Sequence, residues 1–123
     1  MKISIDSGAS GHVINAYSDE HIVVSGSRYN SSLIVLPDQI IVDWPVSTFE
    51  QLGADSFAML AELAPDIVIL GTGRVQRFPR PETYKSLIQA HIGLDVMTTS
   101  AACRTYNILM SEDRRVAAAL ILD

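Results

Sequence analysis

A chain of 123 residues, 48% hydrophobic and 19% charged, has room for one domain with a core of its own and not for two ordinary ones. That apolar content excludes intrinsic disorder, and a net charge of −5 from nine basic and fourteen acidic residues excludes a nucleic-acid binder that works through a general basic surface. The longest apolar runs, Ile67 to Leu70 and Val116 to Leu122, fall well short of the roughly 20 residues that span a bilayer, so a soluble chain without membrane insertion is expected.

The opening "MKISIDSGASGHV" has one lysine and no apolar core, which does not read as a secretory leader. A lone Cys103 fits a reducing compartment, and a cytoplasmic location is the expectation. From there to about residue 44 the pattern is strand-like. "KISID" alternates, "HIVVSGSRYN" holds a turn at Ser25-Gly26-Ser27, and "SSLIVLP" and "QIIVDW" are short β-rich runs stopped by Pro37-Asp38 and Pro45. Hairpins or a meander should result.

Thr48 with Gln51 three residues on resembles a capping box. Ser56 is placed to cap a helix whose Phe57, Leu60, Ala61 and Ala64 recur on one face, with Pro65 ending it. "IVIL" (67–70) is apolar at every position, as in a strand buried on both faces. "PETYKSLIQAHIG" predicts a helix with Pro81 in its first turn, with Tyr84, Leu87, Ile88 and His91 aligned and Gly93 as its stop. "LDVM" is a short strand. "SAACRTYNILMSE" follows as a helix capped by Ser100, with Ala101, Ala102, Thr105, Ile108 and Leu109 on its packing face. "VAAALIL" closes the chain as a buried strand.

This order predicts an α/β class: a single three-layer domain over residues 1–123, with a central mixed sheet, N-terminal hairpin strands and a C-terminal βαβαβ unit. If the strands at 67–70 and 94–97 are parallel, one sheet edge gathers Gly71, Thr72 and Gly73 with Thr98 and Thr99. Ligands in open α/β sheets favour that carboxyl edge.

Gly71-Thr72-Gly73 is neither a dinucleotide fingerprint, lacking the third glycine, nor a P-loop, lacking Gly-Lys-Ser/Thr. Two readings stand: a tight turn or close approach that needs glycine, and a backbone-lined pocket for a small anion. Arg104, Asn107 and Ser111 share a helical face with Glu112 close to it, and Arg104 suits either an internal carboxylate or a ligand anion. The candidate pocket is therefore Gly71, Thr72, Gly73, Thr98, Thr99, Arg104, Asn107 and Glu112.

Charge is uneven along the chain. Residues 1–73 carry two basic and nine acidic groups, net −7, and residues 74–123 carry seven and five, net +2. Arg74, Arg77 and Arg80, with Lys85, put four of the nine cations within twelve positions, either as a solvated loop or as a contact loop for an anion or an acidic partner. Cys103 reads as a small buried residue, since a reactive thiol needs a nearby base and the three histidines, at 12, 21 and 91, lie far apart. No histidine or cysteine pair has metal-ligand spacing, and no catalytic residue, metal or cofactor is expected. Trp44 and Tyr29 are open between core and surface.

"LPDQIIVDWPV", "DIVILGTG", "LDVMTT" and "AACRTYNILMSEDRRVAAALIL" occur in an order and spacing that resemble the Mth-domain family of small proteins. That family includes the mitochondrial complex I assembly factor three and the adipogenesis-associated Mth-domain protein. The resemblance covers about residues 20–122 and is nearest to the short bacterial members. Asp113 departs from the pattern, standing where members commonly have glycine. The resemblance implies a compact α/β fold with a central mixed sheet and no established enzymatic activity. It further implies an accessory or assembly role through protein contacts, as in the respiratory-complex relative, which makes a non-enzymatic interaction module of that kind the first expectation. The alternative is a small-molecule or anion-binding protein or enzyme at the carboxyl-edge pocket.

Overall fold

The computed structural model describes residues 11–123. The expected "KISID" strand lies outside the described residues. An antiparallel three-stranded sheet comes first, β1 (Ile14–Tyr17), β2 (Ile22–Val24) and β3 (Ser27–Tyr29), in that order. β2 and β3 join through Ser25 and Gly26, both at positive φ (50° and 85°), the two-residue turn whose twist suits a hairpin.

The central sheet has five strands: β4 (Leu33–Leu36), β5 (Gln39–Ile41), β6 (Ile67–Gly71), β7 (Gly93–Met97) and β8 (Val116–Leu120). Their spatial order is β5-β4-β8-β6-β7. β8, β6 and β7 are mutually parallel, while β4 runs antiparallel to both β5 and β8, so the sheet is mixed as expected. "IVIL" occupies β6, flanked on both sides, which is why every position could be apolar.

The helices are α1 (Ala54–Glu62), α2 (Lys85–Gln89) and α3 (Thr99–Ser111). The β6-α2-β7 crossover moves outward and β7-α3-β8 moves back past β6. With both right-handed, the two helices fall on opposite faces. Alternate β8 residues accordingly feed two cores. Ala117 and Ala119, with Ile121 just past the strand, pack with Trp44, Phe57, Leu60 and Leu87, whereas Val116, Ala118 and Leu120 pack with Ile14, Ile22, Ala102, Tyr106 and Met110. The result is three layers, with α1 and α2 below the sheet and α3 beside the β1-β2-β3 sheet above it. Trp44 belongs to the core beneath the sheet, and Tyr29 is partly buried against the core above it.

Helix ends depart from the sequence expectations in informative ways. Gln51 does reach back, its Oε1 accepting from the N–H of Ser47 (2.6 Å) and of Thr48 (3.3 Å), but the turn it closes is a short 3₁₀ segment, Phe49–Gln51. Ser56 is not the cap of α1. Gly53 is, and Ser56 sits inside the first turn with its Oγ accepting from the Gly53 N–H. Ala64 lies beyond the helix at φ 53°, not on its apolar face.

The helix expected over 81–91 divides into a 3₁₀ turn, Pro81–Tyr84, and α2. Its reversal falls at His91 (φ 58°) rather than Gly93, which opens β7. The His91 N–H donates to Ile88 O (3.1 Å) and the Ile92 N–H to Leu87 O (2.9 Å), both bonds of a Schellman stop. Leu87 is buried and Ile88 exposed. In α3 the cap is Thr98, not Ser100: Thr98 Oγ1 accepts from the Ala101 N–H at 3.4 Å. Its buried stripe is Thr99, Ala102, Cys103, Tyr106 and Met110, leaving Ile108 exposed. Periodicity admits either stripe, and the one that buries the larger tyrosine ring removes more apolar area from water.

Asp113 follows α3 at φ 63°, with its N–H donating to Met110 O (3.1 Å) and the Arg114 N–H to Leu109 O (3.3 Å). This is again a Schellman stop, which explains why glycine suits that position and why aspartate, tolerant of left-handed backbone, can replace it.

Candidate functional site

The carboxyl ends of β6 and β7 meet the start of α3, as the parallel arrangement requires. Gly71 lies so close to α3 that a Cβ on it would come within 2.8 Å of Thr99 Cα. Gly73, at φ 93°, donates its N–H to Thr99 Oγ1 (2.8 Å) and accepts the Thr99 N–H (2.9 Å), and Thr99 Oγ1 donates onward to Ile121 O (2.7 Å). The turn that could have cradled an anion is therefore filled by a threonine hydroxyl. Thr72 is fully buried, its N–H bonded to Met97 O (2.9 Å) and its Oγ1 donating to Val75 O (2.6 Å).

Beside this plug lies a cleft of about 280 Å³ bordered by Tyr17, Asp19, Gly73, Arg74, Ser100 and Asp123, among others. Thr99 also borders it, whereas Gly71, Thr72 and Thr98 are not among its lining: Gly71 packs against Thr99 and Thr98 caps α3. At this cleft Arg74 Nε lies 3.5 Å from Asp19 Oδ2, with both side chains well exposed. Tyr17, Ser18 and Asp19 come from the end of the N-terminal hairpin strand, and no local motif announces them.

Three residues expected at this pocket lie elsewhere. Arg104 Nη1 donates to the Tyr17 hydroxyl at 2.7 Å and makes no ion pair among the described residues. Asn107 accepts the Ile14 N–H (2.9 Å) and donates to Ile14 O (2.8 Å), and its neighbour Tyr106 donates its hydroxyl to His12 O (2.8 Å). These side chains fasten β1 to α3. Glu112 caps the far end of α3, a 13-residue helix, and is exposed there.

The arginine loop is anchored from below and open above. Arg77 is held three ways: Nη1 donates to Glu50 Oε2 (2.7 Å), Nη2 lies 3.6 Å from Asp123 Oδ2, and the guanidinium stacks 4.7 Å over the Phe49 ring. Glu50 is held below the ordinary carboxyl range by a backbone hydrogen bond and by this guanidinium. The Arg77 N–H donates to Thr72 Oγ1 (3.2 Å), and Gln76 Nε2 donates to Val96 O at 2.8 Å. Side chains next to these anchors face outward. Val75 is 63% exposed and Phe78 70%. Arg80 is exposed and forms no ion pair among the described residues, its C=O accepting from Thr83. Grooves of about 570 Å³ by Val75 and about 510 Å³ between Phe49 and Phe78 run on either side of Arg77.

Cys103 is fully buried, and burial pushes its thiol up to about 12. Among the described residues no group of three or more His, Cys, Asp or Glu is placed to hold a metal ion. No described helix is long and apolar enough to cross a membrane.

The family described as "Protein of unknown function (DUF498/DUF598)" matches residues 14–121. The chain belongs to the DUF498/DUF598 family. Its relatives agree with the Mth-domain resemblance carried by the "GTG" and "RTYN" segments. A bovine relative called NADH dehydrogenase [ubiquinone] 1 alpha subcomplex assembly factor 3 is 36% identical over 111 residues, covering 88% of this DUF498/DUF598 chain and 59% of the relative. The chain thus spans about three fifths of that relative's length. Among solved structures, a Bordetella parapertussis protein superposes with a TM-score of 0.87 at 36% identity, covering 95% of this chain and all of the other. A Mth938-like domain from Bordetella pertussis gives 0.83 at 31% identity, covering 100% and 93%. The α/β fold of the DUF498/DUF598 chain is that of Mth938-like domains.

Proposed function

We propose that this chain is a non-enzymatic interaction module of the assembly-factor kind, docking on a protein partner through the loop from Arg74 to Arg80. One observation carries the reading: Val75 and Phe78 stand 63% and 70% exposed on a loop pinned by Thr72, Gln76 and Arg77. Exposed aromatic and arginine side chains on a pre-organised backbone are what protein contacts use, since little ordering entropy remains to be lost on binding. Arg80, beside Phe78 and outside any ion pair among the described residues, adds salt-sensitive steering. The name of the relative, a complex I assembly factor, supports a role in building a larger assembly, with a respiratory complex as the first target to examine.

The test is photo-crosslinking. A benzoylphenylalanine replacing Phe78 should capture one recurrent partner in cells, whereas the same group at Val42, 53% exposed and distant in sequence, should not. Phe78→Ser combined with Arg80→Glu should remove that partner from mild affinity purification. Equal recovery with the double variant would sink the loop as the contact.

A further inference from the structure

We infer that the free edge of β7 takes up an extended segment of the partner as an added strand, and that this segment carries a lysine or arginine opposite Asp95. The inference rests on the reading of the chain as an interaction module and specifies how a partner engages it.

Among the described residues β7 ends the central sheet, pairing only with β6. Met97 gives its C=O to the Thr72 N–H, so the two-residue alternation of a strand turns Gly93, Asp95 and Met97 towards β6. Leu94 and Val96 turn their N–H and C=O groups outward. One of those outward groups already has a partner, and it is an amide: the Gln76 carboxamide donates to Val96 O at 2.8 Å. Gln76 stands where the backbone N–H of an added strand would stand. Because Gln76 is exposed, it can give up that bond to a peptide and be rehydrated. Among the described residues no side-chain amide reaches β5, the sheet's other edge.

The side chains at this edge state what would lie beside it. Leu94 and Val96 are partly buried against the core that contains Leu87, and Ile88 next to Leu87 is 57% exposed. An added strand thus meets apolar neighbours on the α2 side. Asp95 lies on the opposite face, exposed, the one charged residue of β7, with no ion pair among the described residues. A cation directly across from a strand carboxylate is favourable and a second carboxylate is not. The complementary segment therefore alternates apolar residues with a central basic one. The same charge argues against a second copy of this chain, which would bring another −5 to the contact. Main-chain pairing along an exposed edge supplies affinity in such complexes, and alternate side chains supply specificity.

The experiment is an amide-resolved NMR titration with a capped Thr-Val-Lys-Val-Thr-Val peptide, a Glu-centred version, and a Lys version N-methylated on the residues that would face β7. The Lys peptide should shift Leu94, Val96 and the Gln76 side-chain amide, and the methylated one should not. Asp95→Lys should reverse the preference between the Lys and Glu peptides, and Gln76→Ala should tighten Lys-peptide binding about fivefold, by freeing one acceptor. Absence of edge shifts, or an unchanged preference in folded Asp95→Lys, would overturn the proposal, as would concentration-dependent self-association through these same amides. Asp95→Lys is then introduced with the crosslinker at position 78. Loss of the captured partner supports strand addition. Undiminished capture overturns it while leaving the loop contact standing, and failure of every capture defeats the module reading alone, with the titration still deciding the edge.

Discussion

The carboxamide of Asn107 answers both backbone groups of Ile14, accepting its N–H at 2.9 Å and donating to its C=O at 2.8 Å. One side chain of α3 thus behaves towards β1 as a neighbouring strand would. Asn107→Leu leaves both groups unpaired at a partly buried site, and a loss of about 2 kcal/mol is expected. Urea unfolding checks the magnitude. Hydrogen exchange checks the location: β1 and β2 amides should lose protection before those of β6, and uniform loss across both sheets would contradict this clip.

Gly71 and Gly73 are needed for different reasons. Gly71→Ala meets Thr99 Cα, which is backbone and cannot swing aside, so a loss of about 2 to 3 kcal/mol is expected from overpacking. Gly73→Ala is strained by its φ of 93° and by Asp123, and trimming the latter with Asp123→Ala should recover part of the loss. No such recovery should occur for Gly71→Ala. Thermal unfolding of the two singles and the two pairs decides this.

Among the described residues all three α-helices stop on a left-handed residue that is not glycine: Ala64 at 53°, His91 at 58° and Asp113 at 63°. Glycine removes the steric cost of that backbone and adds entropy to the unfolded chain, so a net gain of about 0.5 to 1 kcal/mol is expected for Ala64→Gly. Asp113→Gly should gain less, because aspartate tolerates the region better. Denaturant midpoints that fall for Ala64→Gly would contradict the assignment.

Cys103 should be silent towards alkylation in the native state. Its thiol is pushed up to about 12 by burial, the Arg104 charge opposing this only in part, so the thiolate is scarce at pH 7 to 9, where an ordinary cysteine near 8.5 already titrates. Native reactivity should therefore stay far below that of an ordinary thiol across that range and show no levelling off towards pH 9, and denaturant should restore both the rate and the ordinary titration. A native reaction that follows an ordinary thiol titration would place the side chain at the surface.

The strands from Ile22 onward and their order of appearance were legible because each carries a local signal: Ser25-Gly26 between alternating runs, Pro37-Asp38 after "LIVL", and an unbroken apolar "IVIL"; β1 (Ile14–Tyr17) carries none and was not legible. The boundaries of α2 and the buried stripe of α3 were not. There the sequence allows neighbouring phases of the same period, and only what lies opposite, Leu87 against the sheet or Tyr106 against His12, selects one. The candidate pocket divides along the same line. Gly73 and Thr99 meet because parallel strands must end at one edge, whereas Arg104 and Asn107 share a helical face that faces Tyr17 and Ile14.

By itself the sequence determined the α/β class, the burial of β6, the glycine turn after it and the cluster of arginines beyond, since each depends on residues within a few positions of one another. Tertiary structure alone decided that the turn is filled by the Thr99 hydroxyl, that Arg77 is consumed by Glu50, Asp123 and Phe49 while Phe78 is left outside, and that β7 is an edge. Those outcomes depend on which distant groups arrive first in space, and hydrogen bonds and ion pairs are satisfied by proximity, which spacing along the chain does not encode.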